Sequence, residues 1–178
     1  MTPGSIGGLV GALFIAAAHS AAAQGSSFDP ANGPGKVFHF GITGAALVAG
    51  SPGLAVGGVV AVEWKRLLIS AEVTAGETFS GWDAFMARGQ AGILLTDAAI
   101  APYVLAGVEH STMDDVINER RGRIDFALTG EAGCLFQPVD GGRQLWLGIR
   151  GLVPLTSHVY SNTSPQLPVA VLVVKYLL

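Results

Sequence analysis

Arg66-Leu67-Leu68-Ile69-Ser70-Ala71-Glu72-Val73-Thr74-Ala75 alternates without a break. Successive side chains of an extended chain point to opposite faces, so Leu67, Ile69, Ala71, Val73 and Ala75 share one side. Arg66, Leu68, Ser70, Glu72 and Thr74 share the other. The stretch predicts a β-strand with one apolar face and one mixed face, of the length a tilted strand needs to cross a bilayer.

The same period extends in both directions. Upstream, Phe38, Phe40 and Ile42 oppose His39, Gly41 and Thr43 within residues 36–46. Leu54, Val56, Val60, Val62 and Trp64 then oppose Ala55, Gly57, Ala61 and Glu63, with Val59 out of pattern. Downstream, Phe85, Ala87, Ala91, Ile93 and Leu95 alternate with Met86, Arg88, Gln90 and Gly92. Ile124, Phe126, Leu128, Ala132, Cys134 and Phe136 oppose Arg123, Asp125, Thr129 and Glu131. Leu145, Leu147, Ile149 and Val153 oppose Gln144, Trp146, Gly148 and Arg150. Residues 101–109 and 169–178 are apolar on both faces, Lys175 apart, and alternate only weakly. The reading is eight strands of about ten residues each.

The polar face is unlike a soluble surface. Of the 178 residues 50% are hydrophobic and only 13% charged, and the polar face carries small residues, glycine and isolated charges: Glu72, Arg88, Asp125, Glu131 and Arg150. A soluble sandwich would put many charges on its outer face. The reverse assignment fits, with the apolar face against lipid and the sparse charges inside a narrow barrel. Strands in hydrocarbon must also close on themselves, because an open edge would strand unpaired backbone groups. The predicted fold is therefore all-β: a closed antiparallel up-and-down transmembrane barrel of about eight strands. Glu72 with Arg88, and Glu131 with Arg150, are candidate interior partners.

The connections divide into two sets. Residues 50–53, 76–83, 110–122 and 156–166 are the expected outer connections, three of them long and polar, while 64–66, 96–100 and 138–143 are short inner turns. The domain reading is a signal peptide over 1–23, a flexible lead over 24–35 and the barrel over 36–178. Its basis is the apolar run Ile6 to Ala18, the small residues Ala21-Ala22-Ala23, and a following Ser/Pro/Gly/Asn-rich stretch. The run lacks a Lys or Arg before it, and an uncleaved anchor is the alternative. A net charge of −3 without a basic stripe excludes nucleic acid as a partner, and the lone Cys134 excludes an internal disulfide or a cysteine zinc cluster.

Two segments resemble the small outer-membrane barrel families, those of the opacity proteins and the OmpA barrel domain. Ala101-Pro102-Tyr103-Val104-Leu105-Ala106-Gly107-Val108 resembles their Pro-Tyr-plus-glycine strand. Ala170, Leu172, Val174, Tyr176 and Leu178 are similar to their C-terminal assembly signal, with Leu178 where the family favours Phe. The resemblance implies location in the bacterial outer membrane and contact with the barrel-assembly machinery through the last strand. His158-Val159-Tyr160-Ser161-Asn162 bears a weaker likeness to the His–Ser–Asn stretch of outer-membrane lipid A deacylases. A serine nucleophile needs a base and a group that orients the base. Here two residues rather than one separate His158 from Ser161, and no acid follows Ser161, so only Glu131 is left to orient the base.

Glu109, His110, Asp114 and Asp115 head the longest expected outer loop, and Arg120, Arg121 and Arg123 follow. The acidic group lacks the spacing of a calcium loop, and neither a metal nor any other cofactor is expected. Arg120, Arg121 and Arg123 are suited to lipopolysaccharide phosphates, and His110, Asp114 and Asp115 to other outer-loop contacts. His39 reads as a lumen residue; Trp64, Tyr103, Trp146 and Tyr176 read as girdle or core, with Trp146 inward. The expected role is non-enzymatic, structural or surface-interacting, and not that of a general porin, because eight strands leave no aqueous channel. The competing readings are the deacylase-like hydrolase, a soluble lipocalin-like carrier with an apolar lumen, and helical insertion of residues 45–62.

Overall fold

The computed structural model describes residues 37–49, 51–115, 120–137, 143–160 and 170–178. The expected signal peptide and lead, residues 1–35, lie outside the described residues. The strands are β1 (Val37–Ala49), β2 (Gly53–Trp64), β3 (Leu67–Thr78), β4 (Asp83–Leu94), β5 (Ile100–Asp115), β6 (Arg120–Phe136), β7 (Gln144–Val159) and β8 (Ala170–Leu177). Each pairs antiparallel with the next, and β1 pairs with β8, so the sheet closes into a barrel. An even strand count places the start of β1 and the end of β8 on one rim, called here the terminal rim. The opposite end is the far rim.

Short turns hold the terminal rim. Trp64 pairs with Leu67, leaving Lys65 and Arg66 as a two-residue hairpin loop with Lys65 at φ 57°. Such a tight reversal requires a left-handed residue to match the strand twist. Arg66 forks onto Asp97 in the next turn, Nε to Oδ1 at 2.9 Å and Nη2 to Oδ2 at 2.5 Å. This clamp joins the β2–β3 and β4–β5 turns.

At the far rim the structure corrects the expected strand lengths. β5, β6 and β7 run for 16, 17 and 16 residues, against 8 in β8. His110, Asp114 and Asp115 lie on β5 and Arg120 and Arg121 on β6, not in a loop. His158 likewise lies on β7. Ladder hydrogen bonds need backbone partners rather than apolar side chains, so pairing continues past the end of the apolar belt. The helical reading of 45–62 fails outright: β1 ends at Ala49 and β2 starts at Gly53. Among the described residues no helix is long and apolar enough to cross a membrane, which does not bear on strands.

Burial follows the period of two with polarity inverted. Outward are Phe38, Phe40, Ile42, Val56, Ile69, Val104, Ile149 and Leu172, all exposed, while Glu72, Arg150 and Lys175 are 2%, 0% and 0% exposed. The interior forms three layers. Near the terminal rim Val59, Leu68, Leu94, Tyr103, Leu105, Leu135, Trp146 and Leu177 make an apolar plug. Toward the far rim Leu47, Ala84, Met86, Met113, Leu152 and Val171 make a second. Glu72, Arg88, Glu109, Glu131, Arg150 and Lys175 lie between them.

Candidate functional site

Six consecutive strands, β3 to β8, each send one charged side chain into the middle layer. Glu72 comes from β3, Arg88 from β4, Glu109 from β5, Glu131 from β6, Arg150 from β7 and Lys175 from β8. Arg88 donates from Nη1 to Glu72 at 2.9 Å, and its Nε stands 3.0 Å from Glu109. Arg150 reaches across the lumen, donating from Nε to Glu131 at 2.9 Å and from Nη2 to Glu72 at 3.1 Å. Its Nη2 also donates to Glu131. Lys175 Nζ lies 2.6 Å from Glu72 and 2.8 Å from Glu131.

Three carboxylates therefore face three cations, and the layer is electrically neutral. Buried ions are tolerable only when paired and hydrogen-bonded on this scale, because the desolvation cost per ion is several kcal/mol. Tyr103 adds a neutral donor, its hydroxyl 2.8 Å from Glu131. The ring has room because two inward positions carry no side chain. A Cβ at Gly133 would stand 2.8 Å from the Tyr103 hydroxyl, and one at Gly148 2.5 Å.

A thread of polar contacts leads from this layer to the terminal rim. Lys175 Nζ sits 5.1 Å from the centroid of Trp146, within cation–π range. Trp146 donates from Nε1 to Gln144 at 3.0 Å, and Gln144 donates from Nε2 to Glu63 at 3.0 Å. Glu63 is 3.6 Å from His39, placing that histidine inside at the mouth of the barrel. Trp64 and Tyr176 are exposed on the outer wall.

Of the residues singled out by sequence, Glu72, Arg88, Glu131 and Arg150 meet in one layer. Asp125 is inside but apart, held near the far rim by Arg123 at 2.5 Å. Glu109 and Lys175 belong to the layer, although Glu109 reads in sequence as part of the acidic loop group. Parity was the missed signal: Glu109 shares a face with Tyr103, Leu105 and Ser111, and Lys175 with Val171 and Val173. His110 is on the opposite face from Glu109 and packs against Phe126, ring centroids 4.6 Å apart. Asp114 pairs in register with Asp83 and Arg121, and its carboxylate accepts the Gly122 N–H at 3.3 Å. Asp115 pairs with Arg120 in the ladder. Among the described residues no three of His, Cys, Asp and Glu form a metal-holding group.

The hydrolase arrangement does not assemble around Glu131. His158 is exposed opposite Ile124 on the outward face, whereas Glu131 is buried inside, seven residues along β6, or about 23 Å at strand rise. Glu131 is already engaged by Arg150, Lys175 and Tyr103. Ser161 lies outside the described residues. The lumen is equally unlike that of an apolar-ligand carrier, since charged side chains fill its middle.

No family model matches the sequence, and no curated protein matches it. Among solved structures, the crystal structure of Neisserial surface protein A aligns with a TM-score of 0.57 at 12% identity, covering 80% of this chain and 96% of that one. The fold is that of a small outer-membrane-type β-barrel. A de novo designed transmembrane β-barrel also matches, with a TM-score of 0.42 at 17% identity over 82% of this chain and 97% of that one. In this barrel the ionic layer and its two apolar plugs fill the lumen.

Proposed function

We propose that the protein is an integral outer-membrane barrel of a Gram-negative cell, with a non-enzymatic structural or surface-interaction role carried by its far rim. The observation behind this reading is the inverted polarity: an apolar belt surrounds the whole wall, and the charged groups are sealed inside. In water that arrangement would expose a hydrophobic surface far beyond what a soluble monomer carries. In a bilayer it satisfies both solvents at once.

The terminal rim then faces the periplasm and the far rim the outside. Outer-membrane lipid surrounds the belt. Lipopolysaccharide phosphates meet Arg120 and Arg121, which would bind them by charge-assisted hydrogen bonds. The strand β8 is the contact for the assembly machinery. The lumen's neutral packed layer favours a scaffold over a pore, and the long β5–β6 and β6–β7 arms supply the surface for partners.

The test is electrophoretic mobility in SDS before and after boiling, with membrane fractionation and protease digestion of intact cells. A heat-dependent shift, outer-membrane enrichment and cleavage restricted to the far rim are expected. Soluble periplasmic protein without a shift would overturn the reading.

A further inference from the structure

Among the described residues of the terminal rim, one guanidinium has no anionic partner. Arg66 is committed to Asp97, and Lys65 Nζ lies 6.0 Å from the ring centroid of Trp64. Arg143, immediately before β7, is exposed and has no hydrogen bond or ion pair among the described residues. Strand register sets a distinctive surface directly above it. Ile100 stands opposite Phe136, Phe136 opposite Leu145, and Leu145 opposite Tyr176, so one outward apolar row crosses β5, β6, β7 and β8.

A groove of about 560 Å³ follows this row on the outer wall, and Arg143 and Gln137 line its rim end. That end is fixed by the Gln137 N–H donating to the Ala99 carbonyl at 2.8 Å. An apolar trough headed by an unpaired guanidinium calls for a ligand with hydrocarbon and an anionic oxygen head in one molecule. Arginine matches phosphate geometry in a forked contact, and an aromatic such as Tyr176 suits the interfacial depth. Free phosphate would leave the row unused, and a neutral lipid would leave Arg143 unpaired.

We infer that this groove docks one glycerophospholipid of the periplasmic leaflet, its phosphate on Arg143 and an acyl chain along the row from Ile100 to Tyr176. The inference rests on the membrane reading above. It also assigns Arg143 a role in setting the depth and tilt of the barrel, because a lipid held at one sector of the rim pins that sector to the headgroup plane.

Native mass spectrometry of the detergent-solubilised full chain, titrated with dioleoyl phosphatidylglycerol, tests it. One adduct is expected to survive activation that strips the rest. Arg143→Ala should reduce its occupancy about tenfold, the scale of losing a charged hydrogen-bonded contact. Arg143→Lys should fall between, and Lys65→Ala should match the wild type. Equal adducts in Arg143→Ala, equal retention of dioleoylglycerol, displacement by millimolar inorganic phosphate, or a protein dimer in place of the lipid adduct would each overturn the inference. The SDS heat shift is run on the same samples. A heat-shifted wild type without the selective adduct rejects the docking site alone, whereas an absent shift rejects it together with the membrane reading.

Discussion

Replacing Glu72 by Gln preserves shape and removes one charge from a layer that balances at three against three. Glu72 is the hub: Arg88 at 2.9 Å, Arg150 at 3.1 Å and Lys175 at 2.6 Å all converge on it. The variant leaves three cations facing Glu109 and Glu131, a net buried charge of +1. Breaking a buried pair in this way costs about 3–5 kcal/mol, most of it from the uncompensated partner. Lys175→Met alone should cost a similar amount with the opposite sign of charge. The double variant is the informative one. It returns the layer to neutrality and leaves two complete pairs, Arg88 with Glu109 and Arg150 with Glu131. Its loss should therefore fall short of the sum of the single losses by at least about 2 kcal/mol, within the range measured for coupled neighbours. Equilibrium urea unfolding in lipid vesicles reads this out by tryptophan fluorescence, with Trp146 adjacent to Lys175. A Glu72→Gln loss below about 1 kcal/mol, or strictly additive losses, would refute the argument that charge balance holds the layer.

Two further outcomes follow from the geometry. Gly148→Ala should destabilise the barrel by about 1–3 kcal/mol by pushing the Tyr103 hydroxyl off Glu131, and should cost less in a Tyr103→Phe background, where the colliding atom is gone; a vesicle unfolding cycle of the four proteins measures the difference. At the terminal rim, the side-chain hydrogen bonds from Arg66 hold the Asp97 carboxyl below its ordinary range. A lowered folded-state value means that the clamp's contribution is present above the unfolded carboxyl range, near pH 4, and is lost as pH falls through the folded value. Asp97→Asn should thus lower the unfolding midpoint slightly at neutral pH, less in high salt, and not at all in strong acid. A difference from wild type that grows on acidification would contradict this.

Much of the architecture is local and therefore legible in the chain. Alternation at period two identifies strands and divides each into two faces, and the scarcity of charge on the mixed face tells which side meets lipid. Arg66 to Ala75 carries all of that by itself. Parity also holds enough information to place Glu109 and Lys175 inside, but β5 and β8 hide it. Their inward neighbours Ala101, Tyr103, Leu105, Val171 and Val173 belong to the apolar plugs, so both faces read as hydrophobic.

What the sequence determined by itself is the strand period, the inverted polarity and the set of residues able to face inward, because each depends only on the next few residues. Which of those residues meet was decided by the tertiary structure. Arg150 on β7 reaches Glu72 on β3, 78 positions away, only because closure of β1 on β8 folds the sheet around a lumen narrow enough for one side chain to cross. The far-rim arms, too, owe their length to ladder pairing rather than hydrophobicity, and a backbone hydrogen bond leaves no mark in side-chain pattern. The separation of His158 from Glu131 comes from the same source: register and facing, set by the whole barrel, put them on opposite sides of its wall.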